Sequence, residues 1–351
     1  MKIGYVGYSK TLEHPADRRR IGILDGIEIN TENPLESDLL LLSNDANFRW
    51  WMKRAKQHVV LDLVDGYLGE SPSIAKDALR NVIRSLAGKS SFSWVLYTRH
   101  LKYAALNATA IIVGSEEQRD VILPYNKNVF VIPDDHSEID QYKLLKPHMN
   151  LRIGGARRFL FWEGYGYTFK HFKHISKELD VFLFENNLSL CLVTTPVFHR
   201  WGGYIGKTRI RKLVDKWFPL SSKNILVVPW NLENLIFYSS VSCFGIIPIN
   251  PTDKFARLKP ENKLVSMWRL GLPTFSSDIP SYVRVAKGAG VAELIVSNGQ
   301  WAKKASQVLM GELDFDSIRR KQMFFMQKHY SREKLQLRWL KIFEMYSGNL
   351  K

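Results

Sequence analysis

Short apolar runs closed by glycine or polar turns alternate with charged, helix-compatible stretches along most of this chain. The first is KIGYVG at residues 2–7, and LLLLS at 39–43 and HVVLDLVD at 58–65 repeat the signal. VLYT at 95–98, TAIIVGS at 109–115 and NVFVIPDD at 128–135 continue the series of predicted strands. Between them, FRWWMKRAKQ and SEEQRDVIL have the composition of helices, and Ser115 suits an N-cap ahead of two acids. Runs this short and apolar, separated by helices, predict strands buried on both faces of a parallel, doubly wound sheet.

Residues 137–157 are polar and aperiodic, with Pro147 and Gly154-Gly155 among them, and are read as a linker. A second strand series follows: RFLFWEG, LSLCLVTTP, NILVVPW, CFGIIPI, LPTFSS and AELIVS. The chain then ends in YSREKLQLRWLKIFEMY, with Leu335, Trp339, Ile342, Phe343 and Tyr346 at helical spacing. The expected organisation is α/β, with a first domain over 1–150, a second over 151–328 and a closing helix over 329–351.

Composition narrows the partners. At 351 residues the chain can fill two cores, and 50 Lys and Arg against 34 Asp and Glu leave a formal charge of +16. An excess of that size favours an anionic partner: a nucleotide, a phospholipid surface, an acidic polymer or nucleic acid. The cations are spread along the chain rather than gathered in one tract, which weighs against nucleic acid. Cys191 and Cys243, each in an apolar run, predict buried thiols of a reducing compartment, with neither a disulfide nor a zinc framework. No apolar run approaches the roughly 20 residues of a membrane span, and MKIGYVGYSK lacks a signal peptide's apolar stretch. A cytoplasmic location is expected, with charge available to hold the protein at an anionic membrane face.

The most informative stretch is NKLVSMWRLGLPTFSSDIPSY at 262–282. A helix stopped by Gly271, a Pro two residues later, a short strand and a polar turn form the βα edge where Rossmann-like domains bind phosphorylated ligands. Pro260 and Glu261 suit its start, among Lys254, Arg257, Lys259 and Lys263. Cations around unpaired backbone amides are suited to a phosphate or pyrophosphate.

Lys263, with Gly271 eight residues on, then Pro273, a strand and Ser-Asp-Ile-Pro-Ser-Tyr, resembles the donor segment of GT-B glycosyltransferases, more narrowly the group-1 nucleotide-sugar transferases. IIVGSEEQRDVILPYNKNVFVIPDD, RFLFWEGYGYTFKHF and PWNLENLIFYSSVSCFGIIPI agree with that family in order and spacing. The resemblance implies two Rossmann-like domains facing a central cleft, with the last helix crossing back to the N-terminal domain. It places Gly164 and Gly166 where the backbone approaches the donor diphosphate. Arg257, Lys259, Lys263, Ser266, Ser281 and Tyr282 are its further donor-side candidates.

One departure stands out. Many family members carry two Glu residues eight apart, where this chain has Leu258 and Ser266, with Glu261 and Asp253 as nearby carboxylates.

The resemblance gives residues 1 to about 140 to the acceptor. His14 and Asp17 lead the basic run Arg18-Arg19-Arg20, expected as a loop, and Asp62 and Asp65 lie near a strand's C-terminal end. Asp65, Asp17, His14 and His100 are the base candidates for an inverting reaction, while a retaining one gives the acceptor proton to the departing phosphate. Arg18, Arg19 and His100 are the acceptor-binding candidates, and Tyr165, Tyr167 and Trp201 are aromatic faces for a sugar ring.

Asp314-Phe315-Asp316 fits a metal-binding D-x-D, but its place ahead of SIRRKQMFFM predicts that Asp316 or Ser317 caps a helix, and no metal or cofactor is expected. The implied function is transfer of a sugar from a nucleotide-sugar to a glycan, in polysaccharide or lipid-linked glycan synthesis. A sugar-nucleotide epimerase, a polyol-phosphate transferase and a non-enzymatic polyanion-binding protein remain the alternatives.

Overall fold

The computed structural model describes residues 1–9, 11–69, 74–86, 96–145, 159–200 and 205–347. Internal contacts divide the chain into two units: Met1–Asp135 with Leu258–Pro260 and Tyr330–Lys351, and His136–Arg257 with Glu261–His329.

The first unit holds six parallel strands: β1 (Lys2–Val6), β2 (Glu28–Asn30), β3 (Leu39–Ser43), β4 (His58–Leu63), β5 (Ala110–Val113) and β6 (Val129–Val131), in the order β2-β1-β3-β4-β5-β6. Strand geometry sends successive side chains to opposite faces, and here both faces are covered. Leu39 and Leu41 join a core with Ile3, Tyr5, Val60 and Ile112, while Leu40 and Leu42 pack with Phe48, Leu61, Leu101 and Ile111. Two-sided burial is why LLLLS shows no alternation.

The helix Arg332–Ser347 closes this unit from the other end of the sequence. Its Leu335, Trp339, Ile342 and Phe343 enter the first of those cores. Arg332 and Gln336 donate to the carbonyls of Gly22 and Asp25 at 2.5 and 2.7 Å, which fixes its register on the helix Pro15–Ile23 and the turn after it. The chain's last helix thus returns to the N-terminal domain.

The second unit repeats the architecture with β7 (Phe159–Gly164), β8 (Ser189–Thr194), a two-stranded antiparallel ribbon of β9 (Val197–Arg200) and β10 (Ile205–Arg209), then β11 (Ile225–Pro229), β12 (Ser242–Ile247), β13 (Thr274–Ser277) and β14 (Ile295–Val296). Its six-stranded parallel sheet runs β11-β8-β7-β12-β13-β14. The chain starts at β7, winds outward to β11, and returns to the other side of β7 with β12. That reversal leaves a switch point between β7 and β12, where doubly wound sheets bind their ligands.

Several expectations need correction. VLYT is not a strand, because Tyr97 and Thr98 open the helix Tyr97–Asn107, where Tyr97, Leu101, Ala104 and Ala105 are buried and Asp77 accepts from the Thr98 amide; Val95 lies outside the described residues. HPADRRR is not a loop: Pro15 occupies the first turn of the helix Pro15–Ile23 and the His14 ring accepts from the Ala16 amide at 3.2 Å. The expected linker begins with the helix Glu138–Leu145, while Pro147 and Gly154-Gly155 lie outside the described residues. Asp314, not Asp316 or Ser317, caps the helix Phe315–His329 by accepting from the Ser317 amide at 2.9 Å, while Asp316 pairs with Arg319.

Candidate functional site

The switch point of the second sheet is built around one turn. β7 ends at Gly164, whose φ of +155° is a backbone state L side chains rarely adopt. A Cβ there would strike the Lys263 ammonium and the Trp162 ring, so the absent side chain is what lets Lys263 reach the backbone. The Thr194 hydroxyl, at the end of neighbouring β8, donates to the Gly164 carbonyl at 2.6 Å. Gly166 opens the 3-10 helix Gly166–His174, and a Cβ on it would lie 2.6 Å from the Thr195 carbonyl. Thr168 locks the turn by donating its amide and hydroxyl to the Tyr165 carbonyl, each at 2.8 Å. Gly164 is thus favoured by its backbone conformation, and Gly166 by close approach to the Thr195 backbone.

Lys263 enters from the helix Asn262–Arg269, which leaves β12 by way of the turns at 248–261. Its ammonium donates to the Thr168 hydroxyl at 3.2 Å and sits 4.7 Å from the centroid of the buried Trp162 ring. The helix is held at both ends. At the C-terminus Gly271, at φ +75°, donates to Trp268 while Leu272 donates back to Met267, satisfying two of the last carbonyls. Lys143 takes the Arg269 carbonyl at 2.7 Å, and Arg269 pairs with Asp140. At the N-terminus Glu261 is the cap residue, 2 % exposed, and pairs with Arg284 at 3.1 Å.

The remaining donor-side candidates take other positions. Ser281 and Tyr282 belong to the first turn of the helix Pro280–Gly288 rather than to a loop, and both are buried. Burial raises the Tyr282 hydroxyl well above the usual tyrosine range, with the charges of Glu163 and Glu261 adding to the effect. Ser266 is 4 % exposed within that helix. Arg257 ends the short helix Lys254–Arg257, and Lys259 lies in the segment 258–260 that counts with the first unit.

The missing carboxylates find a physical counterpart. Leu258, at the first of the two expected Glu positions, packs on Gly66 and Gly69, where added Cβ atoms would collide with it. The two neighbouring carboxylates are already engaged: Glu261 as described, and Asp253 by Lys170 at 2.8 Å and the Ala256 amide at 3.1 Å. Burial pushes Asp253 up, but those two partners hold it below the ordinary carboxylate value.

In the first unit, Asp17, His14 and Arg19 have structural roles the sequence did not reveal. Asp17 is fully buried and accepts from the Tyr5 hydroxyl, the Tyr8 amide, and the Ser9 amide and hydroxyl, at 2.7 to 3.0 Å, so it clamps the turn after β1. His14 stacks on Tyr8, 5.0 Å between ring centroids. Arg20, unassigned in the sequence, makes two bonds to Asp62 at 2.6 and 3.0 Å and lies 4.4 Å over the Trp339 ring. Burial pushes the Asp62 carboxyl up while Arg20 pulls against it. Arg19 pairs with Asp134 at 2.9 Å, and Arg18 is exposed. Asp65 stands just past β4, and His100 is 5 % exposed on the helix Tyr97–Asn107. Trp201 lies outside the described residues, while Tyr165 and Tyr167 are 52 % and 46 % exposed at the Gly164 turn.

Neither a protein-family model nor a curated protein matches this sequence. Solved structures do match. A glycosyltransferase from Rickettsia africae ESF-5 superposes with a TM-score of 0.61 at 10% identity, over 99% of this chain and 98% of that one. The fold is that of GT-B glycosyltransferases. An E. coli trehalose-6-phosphate structure bound with UDP-2-fluoro glucose matches this GT-B chain at TM-score 0.56 and 11% identity, over 88% of it and 74% of the other. TarM matches at TM-score 0.56 and 10% identity over 87% of this chain, which spans about half of TarM's length, 54%. The GT-B likeness covers both units and rests on shape, since residue identity is low throughout.

Proposed function

We infer that this protein is a glycosyltransferase, moving a sugar from a nucleotide-diphosphate donor to a glycan acceptor. The observation that carries the reading is Lys263 brought onto the Gly164 turn at the switch point of a doubly wound sheet. A GT-B neighbour with a nucleotide-sugar analogue bound supports the donor class. In the reaction the acceptor oxygen bonds to the anomeric carbon as the bond from that carbon to the diphosphate oxygen breaks. The leaving diphosphate gains negative charge, and a positioned ammonium with nearby backbone amides stabilises that charge more than the bound substrate's.

The acceptor proton passes either to the departing phosphate or to a carboxylate at the first sheet's edge. Asp65, just past β4, is the candidate for that role; Asp17 is spent on the turn after β1. The cations of the chain take the diphosphate charge in this reading, so turnover persists in EDTA. An acceptor belonging to a polysaccharide or lipid-linked glycan, met at an anionic membrane face, accords with the +16 charge.

The test is a panel of uridine, guanosine, thymidine and cytidine diphosphate sugars offered with and without glycan acceptors. Nucleotide release dependent on acceptor, with one nucleotide class preferred, is expected. Conversion of the donor to its epimer without acceptor, consumption of a cytidine-linked polyol, or no turnover with any donor would replace this reading.

A further inference from the structure

A second site adjoins the Gly164 turn, on the ribbon that interrupts the second unit between β8 and β11. The ribbon is a register of opposed pairs in which Val197 faces Arg209, Phe198 faces Thr208 and His199 faces Lys207. Directly opposed residues share a face of an antiparallel pair, so the ribbon is two-sided. Phe198 closes on Gly166, whose Cβ would lie 2.9 Å from its ring. Val197, His199, Lys207 and Arg209 line a cavity of about 850 Å³, within the roughly 300–1,000 Å³ of small-molecule sites.

The other wall comes from the helix Ile210–Trp217. Ile210 and Val214 are buried, so the opposite face presents Lys212, Leu213 and Lys216 to the cavity. Among the described residues, no carboxylate lines the cavity. Among the described residues, no carboxylate stands within ion-pairing distance of Lys207, Arg209, Lys212 or Lys216; the acid of this helix, Asp215, faces Arg211 at 3.9 Å. Four cations converging with no acid between them repel one another unless an anion joins them.

We propose that this cavity binds a polyanionic oligosaccharide, one bearing phosphate, sulfate or carboxylate groups, as the charged stretch of the acceptor. Its walls select against other polyanions. A single-stranded nucleic acid needs aromatic platforms for its bases, and among the described residues no Trp, Tyr or Phe lines the cavity. A membrane surface is met by a face with protruding apolar side chains, whereas this is a concavity with Val197 and Leu213 inside it. Spaced cations with small apolar patches suit a chain of sugar rings carrying anions at intervals. The assignment as acceptor rests on the transferase reading, but the binding does not.

The test is isothermal titration of the full chain with a sulfated pentasaccharide, with neutral maltopentaose as control. Lys212→Glu with Lys216→Glu removes two walls of charge. Lys303→Glu with Lys341→Glu makes the same change in net charge on exposed helix positions elsewhere. The first pair is expected to weaken the pentasaccharide by at least about tenfold and the second by less than about twofold, with maltopentaose silent throughout. Lys212→Gln with Lys216→Gln serves if the charge reversal fails to fold, and is expected to weaken binding in the same direction.

Failure of the pentasaccharide to bind, equal loss in both charge-reversed pairs, or no loss in the first overturns the proposal. So does a first pair that binds the pentasaccharide normally yet no longer sediments with phosphatidylcholine–phosphatidylglycerol vesicles. Nucleotide binding, measured in the same variants, is expected unchanged. A protein that binds the pentasaccharide but no nucleotide keeps this site and loses the donor reading.

Discussion

The ammonium of Lys263 rests 4.7 Å over the ring of Trp162, held there by the Thr168 hydroxyl at 3.2 Å. An ammonium carries three N–H donors and a full charge, and this one is positioned against the Gly164 turn. Lys263→Met keeps the packing on Trp162 and removes the charge. It is expected to cost only about 1 kcal/mol of stability, the worth of a cation–π contact by a partly buried ammonium. Nucleotide-sugar turnover should fall at least about tenfold, as expected for losing a charged hydrogen bond. Urea unfolding and initial rates measured on the same preparation check both.

Gly164→Ala places a Cβ at φ +155° against the Lys263 ammonium and the Trp162 ring. Backbone strain of this kind costs about 1–3 kcal/mol, and the displaced Lys263 adds a loss of activity. Calorimetry should show a lower melting temperature, and the donor KM should rise with it. Gly311→Ala, at φ +72° with nothing near its Cβ, is expected to lower stability without touching the donor KM.

The pair Arg20–Asp62 is 4 % and 2 % exposed, with two hydrogen bonds and the Trp339 ring above the guanidinium. Removing one partner leaves a buried charge alone, so Arg20→Met is expected to cost about 3–5 kcal/mol in denaturant unfolding. Arg20→Met with Asp62→Leu should recover much of that loss, because the desolvation penalty goes with the pair. The closing helix packs on this cluster through Trp339, so the single variant should also raise proteolysis near 332–347.

Two histidines set an acid limit. Burial holds the His100 imidazole below the usual histidine value, with Arg49 and Arg84 adding to it and Asp77 opposing. Burial does the same to His174, against the His171 carbonyl and Glu178. A base whose folded pKa is lowered binds fewer protons folded than unfolded, so its stability is complete above the unfolded value. It is lost as pH falls from about 6.5 through the lower folded value. Melting temperature should therefore decline over that window, and His174→Gln should make the decline shallower.

How far the sequence disclosed this structure depended on whether a signal was local. β3, β4, β8 and β12 were legible because both of their faces are buried, which leaves an unbroken apolar run. Gly271 and Pro273 marked the end of the Lys263 helix for an equally local reason, since a left-handed cap needs glycine. VLYT misled because its aromatic and β-branched residues suit a strand, whereas Asp77, 21 residues away, caps it as a helix. The ribbon β9–β10 was missed because its strands are polar on the cavity side and hide the alternation. Asp17 looked like a free acid in HPADRRR, and only the return of Tyr5, Tyr8 and Ser9 showed its role. Arg20 and Asp62, 42 residues apart, gave no local sign of pairing.

The grip of Lys263 on a diphosphate is measured most directly by isothermal titration of uridine, guanosine, thymidine and cytidine diphosphates into the wild-type chain and Lys263→Met. One diphosphate should bind the wild type with a single site, and the variant should weaken it at least about tenfold while unfolding at nearly the same urea concentration. Equal affinity in the two proteins, or no diphosphate bound by the wild type, would contradict the account.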